Sequence, residues 1–421
     1  MYSPTVIILI VLNFFSCNLS ETAFEIIWNS PTEVCKIKYK NDLQLELYEI
    51  RANLEQKWRG ELINLFYHTQ IGSWPLIIED KTTNKKNEIN GGIPQRGNVS
   101  MHLKQMELDI EKYMPNKNFE GLAVIDFEQY LPWWSLMDFG MYLKYRDASI
   151  AYFKSRNPSI TNNSLIVEGT KSEYENAVKL FMIKTLKKAK DLRPRAKWGY
   201  YDYPTCARQA ESGYFCDKKH KGLNVQTNWL YKDSLVLFPN CYINIRTIPD
   251  AEKRAIYILK RMNEAKRMSR RSGPDNMPIY AYIRYHYEKE PFPTFLSKVD
   301  MENSIGQAID TGLSGIVIWG DYSDFGDCSE LAQYIKTTLG PISKKMLKYS
   351  NSCSSIFCGG NGRCIKRLFK NQPKGYDTKK SKNYEKFWKI PGYENSESFK
   401  HYECECYPSW TGHRCQFNNR I

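Results

Sequence analysis

The feature that most limits the fold is an alternation, from residue 21 to about residue 345, of short apolar runs rich in β-formers with longer stretches of helical period. Such alternation is typical of a parallel sheet covered by helices. The predicted strands are residues 24–28, 62–67, 122–127, 198–201, 234–238, 279–285 and 315–319. The predicted helices are residues 101–113, 138–153, 172–192, 251–268 and 296–311.

Two α/β architectures satisfy this alternation, a (β/α) barrel and a doubly wound open sheet. A doubly wound nucleotide-binding sheet carries a glycine-rich phosphate loop after its first strand, and no such loop is present in the sequence. The sequence therefore favours a distorted (β/α) TIM-like barrel with about seven strands over residues 21–345. In that fold the carboxyl ends of the strands line the active site.

The charge balance indicates a polyanionic partner. Sixty Lys and Arg oppose 46 Asp and Glu, which gives a formal net charge of +14 over 421 residues. Nucleic acid, an acidic membrane surface and an acidic polysaccharide all fit such a charge. A content of 42% hydrophobic and 25% charged residues excludes a disordered, collagen-like or polytopic membrane protein.

The first 20 residues predict a signal peptide. Their apolar run, residues 6–15, is about half the length that a membrane span needs. No second run of spanning length follows, so we expect a chain without a membrane span that is secreted or lysosomal. Nucleic acid is then not an expected partner. Sequons at Asn98 and Asn162 predict glycosylated surface loops.

Twelve cysteines agree with secretion, and eleven remain once Cys17 of the signal peptide is set aside. Six of them follow residue 352, with spacing that resembles an EGF-like module over residues 346–421. That resemblance implies the pairs Cys353–Cys364, Cys358–Cys404 and Cys406–Cys415, one of fifteen pairings that the sequence alone does not separate. Residues 365–403 form a long basic insertion within the module, either a solvated loop or a secondary polyanion contact.

The strongest chemical signal is an apolar strand that ends in two carboxylates, Gly-Leu-Ala-Val-Ile-Asp-Phe-Glu at residues 121–128. A strand places Asp126 and Glu128 on one face. Neighbouring carboxyl groups do not both ionise easily, so the pKa of one rises and that group can act as a general acid near neutrality. The pair could instead cap a helix or bind Arg. Tyr130, Trp133 and Trp134 follow directly, and their rings suit stacking on sugars.

Several motifs in one order resemble the hyaluronidase family of glycoside hydrolases, which acts on hyaluronan and, in some members, on chondroitin. The resemblance covers nearly the whole mature chain. Besides residues 121–128 it rests on Gly-Gly-Ile-Pro-Gln at 91–95, Trp-Gly-Tyr-Tyr-Asp-Tyr-Pro-Thr-Cys at 198–206, Phe-Pro-Asn-Cys-Tyr at 238–242, Gly-Ile-Val-Ile-Trp-Gly at 315–320 and the terminal EGF-like module.

The resemblance implies a mechanism in which the substrate's own N-acetyl carbonyl is the nucleophile. Glu128 would protonate the leaving glycosidic oxygen and then activate water. Asp126 would orient the acetamido group and help to keep Glu128 protonated. Tyr242 would donate a hydrogen bond to the acetamido oxygen. No cofactor and no metal is expected.

Four further residues are candidates for substrate binding. Tyr201 would contact sugar, and Trp319 would wall the acetyl group. Trp74 is a candidate sugar platform, and Arg261 is a candidate partner for a substrate carboxylate. Each also has a structural interpretation, since aromatic residues at strand ends commonly pack in the core and an Arg on a helix is commonly solvated.

The same resemblance implies disulfides Cys35–Cys328 and Cys206–Cys216, which leaves Cys241 unpaired and suggests a small buried thiol. The sequence departs from the family at residue 131, because the family commonly has Trp-Arg-Pro where this chain has Tyr130, Leu131 and Pro132. A cation expected near the substrate is therefore missing, which leaves the preference between hyaluronan and chondroitin open.

We expect a monomeric, secreted endo-β-N-acetylhexosaminidase that cuts β-1,4 bonds in hyaluronan or chondroitin with net retention. A catalytically silent glycosaminoglycan-binding lectin is the alternative from a different class. Phosphodiester chemistry is disfavoured, because the six histidines form no convincing cluster in the sequence.

Overall fold

The computed structural model describes residues 24–79, 82, 85–206, 216–272, 277–366 and 402–419. The predicted signal peptide lies outside the described residues. So does most of the predicted insertion, since residues 365, 366, 402 and 403 belong to strands and only residues 367–401 remain undescribed.

Two sets of parallel strands form the centre of the fold. One has the order β3-β6-β7 and the other β2-β1-β9-β8, and every neighbouring pair within them is parallel. Their bounds are β1 Glu25–Asn29, β2 Arg51–Ala52, β3 Ile63–Tyr67, β6 Leu122–Asp126, β7 Lys197–Tyr200, β8 Tyr280–Arg284 and β9 Gly315–Trp319. Strands β4 (Leu76–Glu79) and β5 (Lys86–Ile89) form a separate antiparallel hairpin.

The strand predicted at residues 234–238 is reduced to isolated bridges. Phe238 pairs in parallel with Tyr201, and Leu237 pairs in parallel with Ile279, so this segment joins the two sets of strands. The adjacent Pro239 accepts from the Tyr282 backbone N–H, but proline has no N–H to donate in return. The missing donor interrupts the ladder, which explains why the prediction of a continuous strand was wrong.

The central strands carry different side chains on their two faces. On β6, Leu122 and Val124 belong to a cluster with inward-facing residues of the other strands, whereas Ala123 and Ile125 pack in the core shared with the helices. This period of two continues to the strand end. The face that Leu122 and Val124 share therefore leads to Asp126.

Ten helices accompany the strands in the described residues. They are α1 Glu33–Ile37, α2 Val99–Tyr113, α3 Leu143–Arg156, α4 Asn163–Leu192, α5 Lys218–Gln226, α6 Asn228–Asp233, α7 Ala251–Ser272, α8 Lys298–Asp310, α9 Ser329–Tyr334 and α10 Gly340–Cys358. The five predicted helices correspond to α2, α3, α4, α7 and α8, with the largest difference at α4, which begins nine residues earlier than predicted.

The C-terminal segment is built from two small antiparallel pairs. Strands β10 (Gly362–Lys366) and β11 (Tyr402–Cys406) form one, and β12 (Trp410–Thr411) and β13 (Phe417–Asn418) the other. Helix α10 runs continuously across the boundary predicted at residues 345 and 346 and carries the first two cysteines of the segment.

Five disulfides join the described cysteines in the pairs that the resemblances imply. They are Cys35–Cys328, Cys206–Cys216, Cys353–Cys364, Cys358–Cys404 and Cys406–Cys415. Cys241 is free and buried, and burial raises the pKa of its thiol to about 12. A search of the described helices for one long and apolar enough to cross a bilayer finds none.

Candidate active site

Asp126 and Glu128 lie at the carboxyl end of β6, on the face opposite to Phe127. The Phe127 ring is buried on the helix side of the strand, 4.2 Å between centroids from Trp74 and 4.6 Å from Tyr130. Asp126 is the register partner of Tyr67 at the end of β3. Both carboxylates are half-buried, and both act electrostatically on Tyr242. They therefore share one side of the strand end with that tyrosine.

Asn240 holds the two tyrosines of the site in place. Its Nδ2 donates to the Tyr201 hydroxyl at 2.7 Å, while its Oδ1 accepts from the Tyr242 backbone N–H at 2.8 Å. The Tyr201 and Tyr242 rings are 6.1 Å apart, and their hydroxyl groups are hydrogen-bonded. One buried amide thus fixes the position of both rings.

The Tyr242 hydroxyl is kept protonated by its surroundings. Burial raises its pKa well above the ordinary value, and the charges of Asp126 and Glu128 act in the same direction. The Tyr201 hydrogen bond and the Arg284 charge oppose the shift without reversing it. The hydroxyl therefore remains a neutral donor at any physiological pH.

Trp319 forms one wall of the site at the end of β9. Its ring stacks on Tyr242 at 5.9 Å between centroids with planes 23° apart. Its indole N–H donates to the Tyr67 hydroxyl, whose pKa burial and the Asp126 charge raise above the ordinary value. The ring is therefore fixed on one side by stacking and on its edge by a hydrogen bond.

A cation lies behind this wall. The Arg284 guanidinium is 4.8 Å from the Trp319 centroid and 5.8 Å from that of Tyr242. It forms a salt bridge to Asp324 at 2.6 Å, and Asp324 also binds His286 Nε2 at 2.7 Å. Burial alone would raise the pKa of Asp324, but the His286 hydrogen bond and the Arg284 charge outweigh it, so the pKa is lowered.

Trp74 does not line the site, which corrects its prediction as a sugar platform. The side chain is only 1% exposed and packs against Phe127 and His102. Because Phe127 points away from the carboxylates, Trp74 lies on the helix side of β6. Burial there lowers the pKa of His102 to about 4, as expected for an apolar environment.

Arg261 is directed into the protein rather than toward a substrate carboxylate. It is 2% exposed, donates to the backbone carbonyls of Asn240 and Cys206, and forms a salt bridge to Asp202 at 3.1 Å. The prediction that Arg261 meets a substrate carboxylate is wrong, and the solvated alternative is wrong too, because α7 turns this side chain toward the loops that carry the site. Its contact with the Asn240 carbonyl makes it a support for the two tyrosines.

Leu131 is half-buried and its backbone carbonyl accepts from the Tyr174 hydroxyl at 2.7 Å. The departure from the family at this position therefore places an apolar side chain against the core. Arg284 supplies a positive charge elsewhere in the same site. Asn240, Arg284 and Tyr67 were missed from the sequence, although Asn240 lies within a motif quoted there, Tyr67 ends a predicted strand and Arg284 is the next-to-last residue of another.

No group of three or more His, Cys, Asp or Glu in the described part of the chain is arranged to hold a metal ion. The polar groups that converge on the site are instead carboxyl and phenol hydroxyl groups at the ends of parallel strands. Paired carboxylates surrounded by aromatic rings at such strand ends are typical of glycoside hydrolases.

Comparison with known proteins specifies that class. The family model for hyaluronidase, glycoside hydrolase family 56, matches residues 15–419, and the chain therefore belongs to the hyaluronidase family of enzymes. The chain is 30% identical over 416 residues to the hyaluronidase of Echis pyramidum leakeyi, covering 93% of this chain and 90% of that one. It is 33% identical over 355 residues to the hyaluronidase of Polistes annularis, covering 82% and 94%.

A solved structure agrees. Bee venom hyaluronidase in complex with a hyaluronic acid tetramer superposes with a TM-score of 0.71 at 29% identity, covering 77% of this chain and 99% of that one. The α/β class expected from the sequence and the family resemblance are confirmed.

Proposed function

We propose that this enzyme hydrolyses the β-1,4 bonds between N-acetylhexosamine and glucuronate in hyaluronan, chondroitin or both. The observation that carries the proposal is the convergence of Asp126 and Glu128 on the protonated Tyr242 hydroxyl. Family membership and the hyaluronic acid tetramer bound to the bee enzyme support the substrate class.

In the proposed mechanism the acetamido carbonyl of the substrate attacks its own anomeric carbon, and net retention follows from the second displacement by water. Glu128 gives its proton to the leaving oxygen and afterwards takes one from the water. Asp126 lies about two strand residues from Glu128, near enough for its negative charge to favour the protonated acid. Asp126 also accepts from the acetamido N–H, which aligns the carbonyl.

The tyrosine pair forms a directed set of hydrogen bonds. The amide of Asn240 donates to Tyr201, Tyr201 donates to Tyr242, and Tyr242 donates a hydrogen bond to the acetamido oxygen. Because the Asn240 amide is the first donor, the direction of this chain of hydrogen bonds is set before substrate binds. Trp319 packs against the acetyl methyl group and excludes water from the face on which the acetamido group binds.

The remaining features of the proposal concern the context of the site. We place it at the mouth of a (β/α) barrel over residues 21–345, with an EGF-like module over residues 346–421. The chain acts as a secreted monomer after loss of residues 1–20, with a lysosomal location as the alternative. The Cys-rich segment and the family support this assignment.

The decisive experiment replaces Glu128 by Gln, which keeps the shape and removes the transferable proton. Hyaluronan and unsulfated chondroitin are digested side by side, and the products are sized. We expect wild-type cleavage of at least one polymer and loss of more than about three orders of magnitude in the variant, while binding is retained. Unchanged cleavage would refute the acid assignment, and polymer binding without any wild-type cleavage would favour the lectin alternative.

A further inference from the structure

A continuous row of five aromatic rings leads from the catalytic tyrosines to solvent. In order they are Tyr201, Tyr242, Trp319, Trp58 and Tyr322, with successive centroids 6.1, 5.9, 6.3 and 6.1 Å apart. Exposure rises along the row, from 6% at Tyr201 and 9% at Tyr242 to 62% at Tyr322. The catalytic mechanism uses only the first three rings.

The two outer rings are held in a fixed arrangement. Trp58 stacks on Tyr322 with planes 20° apart and meets Trp319 edge to face. The Tyr322 hydroxyl donates to Glu33 at 3.4 Å, and Phe325 supports the ring from another side at 6.2 Å. Tyr322 is largely exposed and Trp58 is half-buried. An oriented, exposed ring beside a site is a surface that apolar faces of sugars can cover.

Charges of both signs surround the outer rings. Glu33 contacts Tyr322 directly, and Asp321 precedes Tyr322 in the chain. Lys57 and Arg59 flank Trp58, and the Arg59 charge acts on Tyr322 while the Lys57 charge acts on Glu33. Contact with the ring faces, rather than charge, is therefore what this surface offers a sugar.

We propose that Trp58 and Tyr322 form an accessory subsite that stacks a sugar ring of a bound glycosaminoglycan beyond Trp319. The proposal rests on the function proposed above, since it extends the same cleft. It assigns to these rings the recognition of chain length: oligosaccharides too short to pass Trp319 gain nothing from the subsite.

The test compares Tyr322→Ala with wild type on hyaluronan oligosaccharides of four, six, eight and ten sugars. We expect KM for the longest oligosaccharides to rise on the order of five-fold, with kcat unchanged and with no rise for the shortest substrate that is cleaved. Tyr322→Phe, which keeps the ring, restores the wild-type length dependence. Phe417→Ala is the matched control, because Phe417 is equally exposed at 61% but lies in β13.

Oligosaccharide binding to the inactive Glu128→Gln variant tests this proposal separately from the proposed function. Chitotriose, a neutral N-acetylglucosamine trimer, and hyaluronan octasaccharide are titrated by calorimetry into Glu128→Gln with and without Tyr322→Ala. Weaker binding of both ligands in the double variant supports the subsite, even if wild type cleaves no polymer. Equal affinity in the two backgrounds, or an equal KM change at every chain length, overturns it.

Discussion

Arg284 and Trp319 are register partners on adjacent strands, and the guanidinium lies over the indole ring at 4.8 Å from its centroid. A cation therefore backs the wall against which the acetyl group is proposed to bind. Because Leu131 replaces the Arg that is common in the family, the sequence predicted that a cation would be missing near the substrate. Arg284 supplies a positive charge in the same site. This relationship gives Arg284 a testable part in binding the polyanion.

Replacing Arg284 by Gln is expected to raise KM for hyaluronan about ten-fold or more and to weaken its dependence on salt, because a charge–charge attraction is removed. Arg284→Lys keeps the charge and should lose less. Stability falls in Arg284→Gln, because the buried negative charge of Asp324 keeps its hydrogen bonds from His286 and the Asp321 backbone N–H but loses the guanidinium. The double variant with Asp324→Asn regains stability but not affinity. Identical salt dependence in wild type and Arg284→Gln would contradict the assignment.

Tyr242→Phe removes the hydroxyl and keeps the ring that stacks on Trp319. We expect kcat to fall about 100-fold, as when one preorganised donor to a developing charge is lost. Since the raised pKa keeps this hydroxyl protonated, the pH of half-maximal activity on the acid and alkaline sides should not move. The measurement is a pH profile of kcat and kcat/KM for both proteins. A shifted alkaline limb in the variant would show that Tyr242 titrates during catalysis.

The sequence predicted the central strands and the carboxylate pair, because a period of two and an apolar run determine which face a strand end presents. It did not predict that residues 234–238 would be reduced to isolated bridges. The effect of Pro239 depends on which neighbouring strand carries the carbonyl that its missing N–H would have bonded. The predictions that Trp74 and Arg261 bind substrate were wrong for a related reason. Their exposure depends on how helices pack on the strands, and the local pattern around either residue does not contain that information.

Lys266 joins α7 to the C-terminal hairpin through Glu405 at 2.5 Å. Burial outweighs this pairing and lowers the pKa of Lys266 to about 8. The unfolded chain, with its ordinary lysine pKa near 10.5, binds more protons at this group between these two values, so the contribution of Lys266 to stability should rise with pH across that window. The unfolding free energy is measured by urea denaturation at pH 7.5 and at pH 10. Lys266→Met should remove the part of the difference between the two values that Lys266 contributes.

The matched control for this pH effect is Lys344→Met on the exposed side of α10. That variant should keep the full difference in unfolding free energy between the two pH values. If Lys266→Met also keeps it, the ammonium group is not desolvated in the folded protein.

The two predicted glycosylation sites are also helix caps, which makes modification and stability separable. Asn98 Oδ1 accepts from the Met101 backbone N–H at the start of α2, and Asn162 Oδ1 accepts from those of Ser164 and Leu165 at the start of α4. A glycan attaches to Nδ2, so the capping oxygen keeps its role. Both asparagines are exposed, as modification requires.

Asn162→Ala should remove both the glycan and the cap, at a cost of about 1 kcal/mol in unfolding free energy. Ser164→Ala destroys the sequon but keeps the Asn162 side chain, so it should lose the glycan without that cost. Mass spectrometry of the secreted protein checks the modification, and thermal unfolding of the two variants checks the cap. Because both variants lack the glycan, equal melting temperatures would show that Asn162 does not stabilise α4.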